Sequence, residues 1–157
     1  MDKKLLFVCL GNICRSPAAE GVMQHYIAQA GLTERITVDS AGTYGGHAGS
    51  LPDPRMRKAA EKRGYLLTSR SRKITYSDFD RFDLIIVMDD SNYDDVYRLA
   101  PTMEAASKIR RMADFCQSVK CDHVPDPYYG GTNGFEWVLD ILEDACNGLL
   151  KELKKTL

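Results

Sequence analysis

The stretch that most constrains this chain is Leu5-Leu6-Phe7-Val8 running straight into Cys9-Leu10-Gly11-Asn12-Ile13-Cys14-Arg15-Ser16-Pro17. The apolar run predicts a strand, and Gly11-Asn12 a tight loop. Beyond Pro17, Ala19, Val22, Met23, Tyr26, Ile27 and Ala30 recur at helical spacing, with Gly31 as the stop. Ser16 is a favoured N-cap and Pro17 fits the first helical position, where a missing N–H costs nothing. A strand–loop–helix unit of this kind buries its faces in a layered α/β fold.

The rest of the chain supplies the layers. Ile36-Thr37-Val38 predicts a second strand, and Asp83 to Met88 a third, apolar from Leu84 on as a strand covered on both faces should be. Lys108 to Met112 is charged enough to be an edge strand. Asp53-Pro54 opens one helix, Ser77-Asp78-Phe79-Asp80 a short capped turn, and Asp89-Asp90-Ser91 another helix. Val138, Leu139, Leu142, Cys146, Leu149 and Leu153 stripe a final helix from Phe135 to about Lys154. Alternating strands and helices joined by right-handed crossovers predict an α/β fold, a small doubly wound (Rossmann-like) four-stranded parallel sheet with helices on both faces. Ligands of such sheets sit at the carboxyl ends of the strands, where Cys9 lies by construction. Asp89 follows the third strand and so falls on the same rim.

The chain of 157 residues is read as one domain, 1–157, and its net charge of -1 gives no electrostatic argument for nucleic acid or membrane as partner. Five cysteines are an odd count without a zinc-ligand spacing, and the N-terminal apolar run is too short for a secretion signal. Both point to reduced thiols in a cytoplasmic protein. No segment is long and apolar enough to span a bilayer. Cys116 and Cys121 are read as bystanders rather than a redox pair, and Arg70 and Arg72 as solvated.

The loop itself implies chemistry. Five residues curling between Cys9 and Arg15 can turn the N–H groups of Leu10, Gly11, Asn12, Ile13, Cys14 and Arg15 inward as a nest for an anion. The helix N-terminus adds positive potential there. Arg15 supplies a planar fork matched to phosphate oxygens. Gly11 and Asn12 are the residues best able to take left-handed backbone angles. A thiol at the first position faces this field, which favours its thiolate. Cys9 is therefore expected to be a nucleophile aimed at a bound tetrahedral oxyanion, with Ser16 hydrogen-bonded to its sulfur and Asn12 holding the loop's shape. Expelling an alkoxide or phenolate from a phosphate also needs an acid. Asp126 is the candidate, stiffened by Pro127 and flanked by Tyr128 and Tyr129. Cys14 lies in the same loop, where its sulfur could trap an oxidised Cys9 as a disulfide or serve only as a packed thiol that shapes the loop.

The string VCLGNICRSP resembles the signature of the low-molecular-weight protein tyrosine phosphatases. The likeness continues through Asp39-Ser40-Ala41-Gly42-Thr43, Pro52-Asp53-Pro54-Arg55, Met88-Asp89 and Asp126-Pro127-Tyr128-Tyr129, over essentially the whole chain. It implies hydrolysis of phosphotyrosine on proteins through a phosphocysteine on Cys9, with Asp126 as general acid and base. Inorganic phosphate is the implied product, and neither metal nor organic cofactor is implied. It also implies that Asp89 braces the site and that the glycine-rich loop from Ala41 to Pro54 walls the cleft. Many members carry a large aromatic at about Gly46; here Tyr44 or His47 would supply a ring. Some members brace the loop asparagine with a histidine near Ser69, a task left here to a hydroxyl. A monomer is expected, with a weak dimer as the alternative. Thiol-dependent arsenate reductases share the fold but carry cysteines around the segment that reads Val87-Met88-Asp89-Asp90 here. Protein-arginine phosphatases resemble one another in a small hydroxyl residue where this loop has Ile13, whose apolar side chain suits a phenyl ring in the cleft.

Overall fold

The computed structural model describes residues 2–157; Met1, the first residue of the expected 1–157 span, lies outside them. In chain order the elements are β1 (Lys3–Cys9), α1 (Arg15–Gln29), β2 (Ile36–Gly42), α2 (Pro54–Glu61), α3 (Asp78–Arg81) and β3 (Leu84–Val87). They continue with α4 (Asp90–Leu99), α5 (Met103–Ala106), β4 (Ile109–Arg111), a 3-10 turn (Met112–Phe115) and α6 (Thr132–Lys154). The strands form one parallel sheet in the order β2-β1-β3-β4. This is the expected doubly wound arrangement. β1 lies inside the sheet, and the short, arginine-bearing β4 is an edge.

Side-chain alternation divides the core in two. Leu5 and Phe7 face a cluster that takes in Val22 and Met23 of α1 and Leu139 and Leu142 of α6. Leu6 and Val8 face the opposite cluster, with Ile85 and Val87 of β3, Phe79 of α3 and Val96 of α4. Both faces of β1 are thus apolar, which is why its sequence shows no polar alternation. Each fully buried side chain of this kind contributes about 1.5–3 kcal/mol. Sheet and helices together hold the ends of β1 and β3 on a single rim. Among the described residues no helix is long and apolar enough to cross a membrane.

Most helix ends follow the sequence, but α6 begins at Thr132, ahead of the expected Phe135, and no side-chain hydrogen bond caps α3. Asp53 caps α2, accepting from the Arg55 N–H at 2.8 Å, with Pro54 in the first turn. Gly31 closes α1 with φ of 72°, the left-handed conformation that favours glycine. Ser16, however, is not the cap of α1. The helix begins two residues before Pro17, at Arg15, and no side chain caps it. The Ser16 hydroxyl is turned toward Cys9 and Asn12 instead.

Candidate active site

The loop between β1 and α1 is pinned from outside by its carbonyls. Those of Cys9 and Leu10 accept from the N–H groups of Thr43 and Tyr44, at 3.0 and 2.8 Å. That of Ile13 accepts from Asp53 N–H at 2.7 Å, and that of Gly11 from the Ser71 hydroxyl at 3.0 Å. Among the described residues, the N–H groups of Leu10 to Arg15 donate to nothing in the chain. Carbonyls out and N–H groups free is the polarity of an anion cradle.

Backbone conformation explains how the loop curls. Asn12 has φ of 56°, which asparagine tolerates better than most residues. Its side chain recoups the strain: Nδ2 donates to Ser16 Oγ at 2.8 Å, and Oδ1 accepts from Arg72 N–H at 3.0 Å. Gly42, at the end of β2, lies against the same loop. A Cβ there would stand 2.7 Å from the Leu10 carbonyl oxygen and 3.1 Å from Asn12 N, both backbone atoms. Only a glycine lets the two segments approach this closely.

Cys9, Asn12, Arg15 and Ser16 are all buried. The Cys9 Sγ and Ser16 Oγ lie 3.0 Å apart. Since Ser16 Oγ accepts from Asn12, its proton is available to the sulfur. Arg15 is held by two groups, with Nη1 donating to Asp89 Oδ2 at 2.6 Å and to the Val124 carbonyl at 3.0 Å. Its Nη2 lies 3.6 Å from Asp126 Oδ2. Asp126 is a third exposed, and its other oxygen accepts from Tyr128 N–H at 3.0 Å. Cys14 differs from Cys9 in lacking a hydroxyl partner; burial, then the nearby Asp53 carboxylate, pushes its thiol up, so it stays protonated.

These groups border a cleft of about 110 Å³ lined by Cys9, Leu10, Gly11, Ile13, Cys14, Arg15, Tyr44, His47, Asp126, Tyr128 and Tyr129. Every residue expected at the cleft is there. Asn12, Ser16 and Asp89 stand behind it as supports. Tyr44 provides the ring over the glycine-rich loop: a Cβ built on Gly46 would run into the Tyr44 ring and hydroxyl. His47 packs edge-on against Tyr44 and also lies near the Tyr128 ring. Tyr129, at the cleft mouth, is 91% exposed.

One expectation about the surroundings needs correction. Arg72 is not solvated. It makes a two-pronged ion pair with Asp78, whose side chain is fully buried, and reaches Asp39 at 3.0 Å. The pairing anchors Arg72, whose backbone N–H holds Asn12 Oδ1 at 3.0 Å. The expected hydroxyls do reach the loop: Ser16 Oγ accepts from Asn12 Nδ2 and the Ser71 hydroxyl holds the Gly11 carbonyl, while the Arg72 N–H holds Asn12 Oδ1. The residues that the sequence did not single out are therefore Ser71, the backbone of Arg72 and the carbonyl of Val124. Only Ser71 could have been found, as a small hydroxyl in an extended segment. Cys116 and Cys121 lie 3.8 Å apart, sulfur to sulfur, as free thiols away from the cleft.

An arginine and a ring of free N–H groups around a buried thiol, at the carboxyl rim of a parallel sheet, define a cysteine-dependent phosphate-handling enzyme. Comparison with known proteins gives the class its family. The model of the family described as low molecular weight phosphotyrosine protein phosphatase matches residues 4–157, and the chain belongs to that family. A low molecular weight protein-tyrosine-phosphatase of Streptomyces coelicolor is 41% identical over 157 residues, covering 99% of this chain and 96% of its own. A crystal structure of a protein tyrosine phosphatase from Entamoeba histolytica, with Hepes in the active site, superposes with a TM-score of 0.95 at 51% identity, covering 98% of both chains. That of the Drosophila arginine phosphatase superposes with a TM-score of 0.90 at 30% identity, over 96% of this chain and 98% of that one. The protein is thus a hydrolase of a family that acts on phosphotyrosine proteins.

Proposed function

We propose that the chain hydrolyses phosphotyrosine in two displacements at the cleft. Cys9 attacks phosphorus while the N–H groups of Leu10 to Arg15 and the Arg15 guanidinium hold the equatorial oxygens. Asp126 gives its proton to the departing phenol. Water, losing a proton to Asp126, then cleaves the phosphorus–sulfur bond and releases inorganic phosphate with the Cys9 thiolate. The Ser16 hydroxyl stabilises that thiolate as nucleophile and as leaving group. Asp89 fixes the guanidinium, and Asn12 fixes the loop. The observation that carries this reading is the free N–H ring of Leu10 to Arg15 closed by Arg15 around Cys9, with Asp126 facing the same space. All reacting groups come from one chain, which supports a working monomer. Five free thiols support a cytoplasmic location.

Ile13 borders the cleft with an apolar side chain, which favours an aryl ester over a guanidinium phosphate. The test is phosphate release from matched phosphotyrosine, phosphoserine and phosphoarginine peptides, with Cys9→Ser as the blank. Preference for phosphotyrosine, lost in the variant, is expected. Preference for phosphoarginine would transfer the chain to the other activity in its structural neighbourhood, and no release at all would end the phosphatase reading. Asp126→Asn is expected to lower kcat by about 10²–10⁴-fold.

We further assign Cys14 a protective role. Peroxide converts the Cys9 thiolate to a sulfenic acid, and the Cys14 thiol displaces water from it to form the disulfide. Mass spectrometry after peroxide treatment should find the two linked. A Cys9 sulfonic acid beside free Cys14 would refute the assignment.

A further inference from the structure

A second depression adjoins the cleft. It is a groove of about 210 Å³ between α2 and the start of α6, floored by Ala59 and Phe135 and walled by Arg55, Lys58, Lys62 and Glu136. Its charges are unequally compensated. Glu136 is paired with Arg63 at 2.7 Å, and Arg55 with Asp53 at 2.9 Å. Among the described residues, Lys58 and Lys62 form no ion pair. The groove therefore presents two uncompensated ammonium groups above an apolar floor.

The groove is separated from the cleft by a single wall. Arg55 Nη2 donates to the Tyr128 carbonyl at 3.0 Å, and its guanidinium lies 5.4 Å from the centre of the Tyr128 ring. Tyr128 is also a wall of the cleft. The Arg55–Tyr128 pair is thus the partition between the two depressions. A polypeptide that places a phosphotyrosine over Cys9 must leave the cleft past its rim, and this partition is one side of it.

Spacing narrows the ligand. Lys58 in α2 and Lys62, the residue that caps its C-terminus, are one helical turn apart, about 6 Å along the helix axis. In an extended peptide, residues two apart lie on the same face and about 6.6–6.8 Å from one another. The pattern that meets both lysines is therefore acidic-x-acidic. Resting on the phosphatase reading, we propose that this groove binds the flank of the substrate polypeptide and selects phosphotyrosine segments carrying two carboxylates at alternate positions.

The test uses two phosphotyrosine peptides of equal length, one with Glu-x-Glu flanks on both sides of the phosphotyrosine and one with Gln-x-Gln, and 4-nitrophenyl phosphate as a substrate without flanks. The unaltered protein should prefer the acidic peptide by about fivefold in kcat/KM at low salt, a gap that shrinks as salt screens it. Lys58→Glu/Lys62→Glu, which touches none of the reacting groups, should erase or invert the preference while 4-nitrophenyl phosphate turnover stays unchanged. Equal kcat/KM on the two peptides, or a preference that survives the double variant, would overturn the proposal. If the unaltered protein hydrolyses none of the three, the phosphatase reading falls first, and the groove's assignment falls with it.

Discussion

Asp89 divides its two carboxylate oxygens between Arg15 and a helix. Oδ2 accepts from the Arg15 guanidinium at 2.6 Å, and Oδ1 caps α4 through the Asn92 N–H at 2.8 Å. One side chain at the end of β3 therefore both orients an anion-binding arginine and starts the next helix. The two roles separate by substitution. Asp89→Asn keeps an oxygen for the cap but loses the charge. It should leave Tm within a few degrees while kcat/KM on an aryl phosphate falls about 10–100-fold, in line with a charge-assisted hydrogen bond of about 1.5–3 kcal/mol. Asp89→Ala should show the same kinetic loss and a further stability loss of about 1 kcal/mol from the uncapped helix. Equal stabilities in urea for the two variants would show that the cap does not matter.

Ser16 touches only the sulfur side of the proposed reaction. Its removal should therefore weigh on the step in which Cys9 leaves. Ser16→Ala is expected to lower kcat about 10–100-fold, with a rapid initial release of one equivalent of phenol before the slow steady state. Stopped-flow traces of 4-nitrophenol release would settle the matter; a slow release without a burst would place Ser16 in the first step instead.

Asn12 combines a left-handed backbone with two side-chain hydrogen bonds. Asn12→Gly relieves the backbone but drops both bonds, and Asn12→Ala loses on both counts. Urea unfolding should place Asn12→Ala about 1–2 kcal/mol below Asn12→Gly, the cost of the left-handed conformation for a residue with a Cβ. Coincident curves would mean that the loop relaxes away from this conformation.

Gly46 and Tyr44 compete for one volume. Gly46→Leu should force the Tyr44 ring off the cleft and raise KM for an aryl phosphate several-fold, the scale of one lost aromatic contact at about 0.5–1.5 kcal/mol. Tyr44→Ala should raise it alike, and the double variant no further. Additive effects would separate the two positions.

The buried Asp78–Arg72 pair ties stability to pH. Burial by itself would raise the Asp78 carboxyl, but hydrogen bonds from Arg72 and from the Thr75 N–H outweigh it and hold it below the usual carboxylate range. The sign is that of a depressed acid. Its contribution is complete above the unfolded value, near 3.9, and disappears as pH falls through the lower folded value. Tm measured from pH 6 to pH 2 should drop more steeply for the unaltered protein than for Asp78→Asn. Parallel curves would remove Asp78 from the account.

How much of this was legible beforehand depends on where the information resides. The β1–loop–α1 unit, the Asp53-Pro54 cap, the position of Asp89 and the residues lining the cleft are written in residue types, and the structure places them as expected. The supports are not. Val124 holds Arg15 through its carbonyl, a group every residue possesses, and Arg72 holds Asn12 through its N–H, which every residue but proline possesses. Arg72 looked solvated because its partners, Asp39 and Asp78, are brought to it only by the tertiary fold. Ser16 looked like a cap because local preference favours one there, and a sulfur seven positions earlier in the chain claims its hydroxyl instead.

Gly42 carries a consequence for anyone who ranks positions by their tolerance to change. It offers no atom to the reacting phosphate, yet any Cβ there meets the main chain of Leu10 to Asn12. Main chain cannot be swapped for something smaller, so no second-site change can make room. A saturation screen for activity would find position 42 as intolerant as position 9, and by tolerance alone the two would be indistinguishable. What separates them is the kind of failure: loss of Cys9 leaves a folded protein that binds phosphate without turning it over, whereas a side chain at 42 abolishes binding and turnover together.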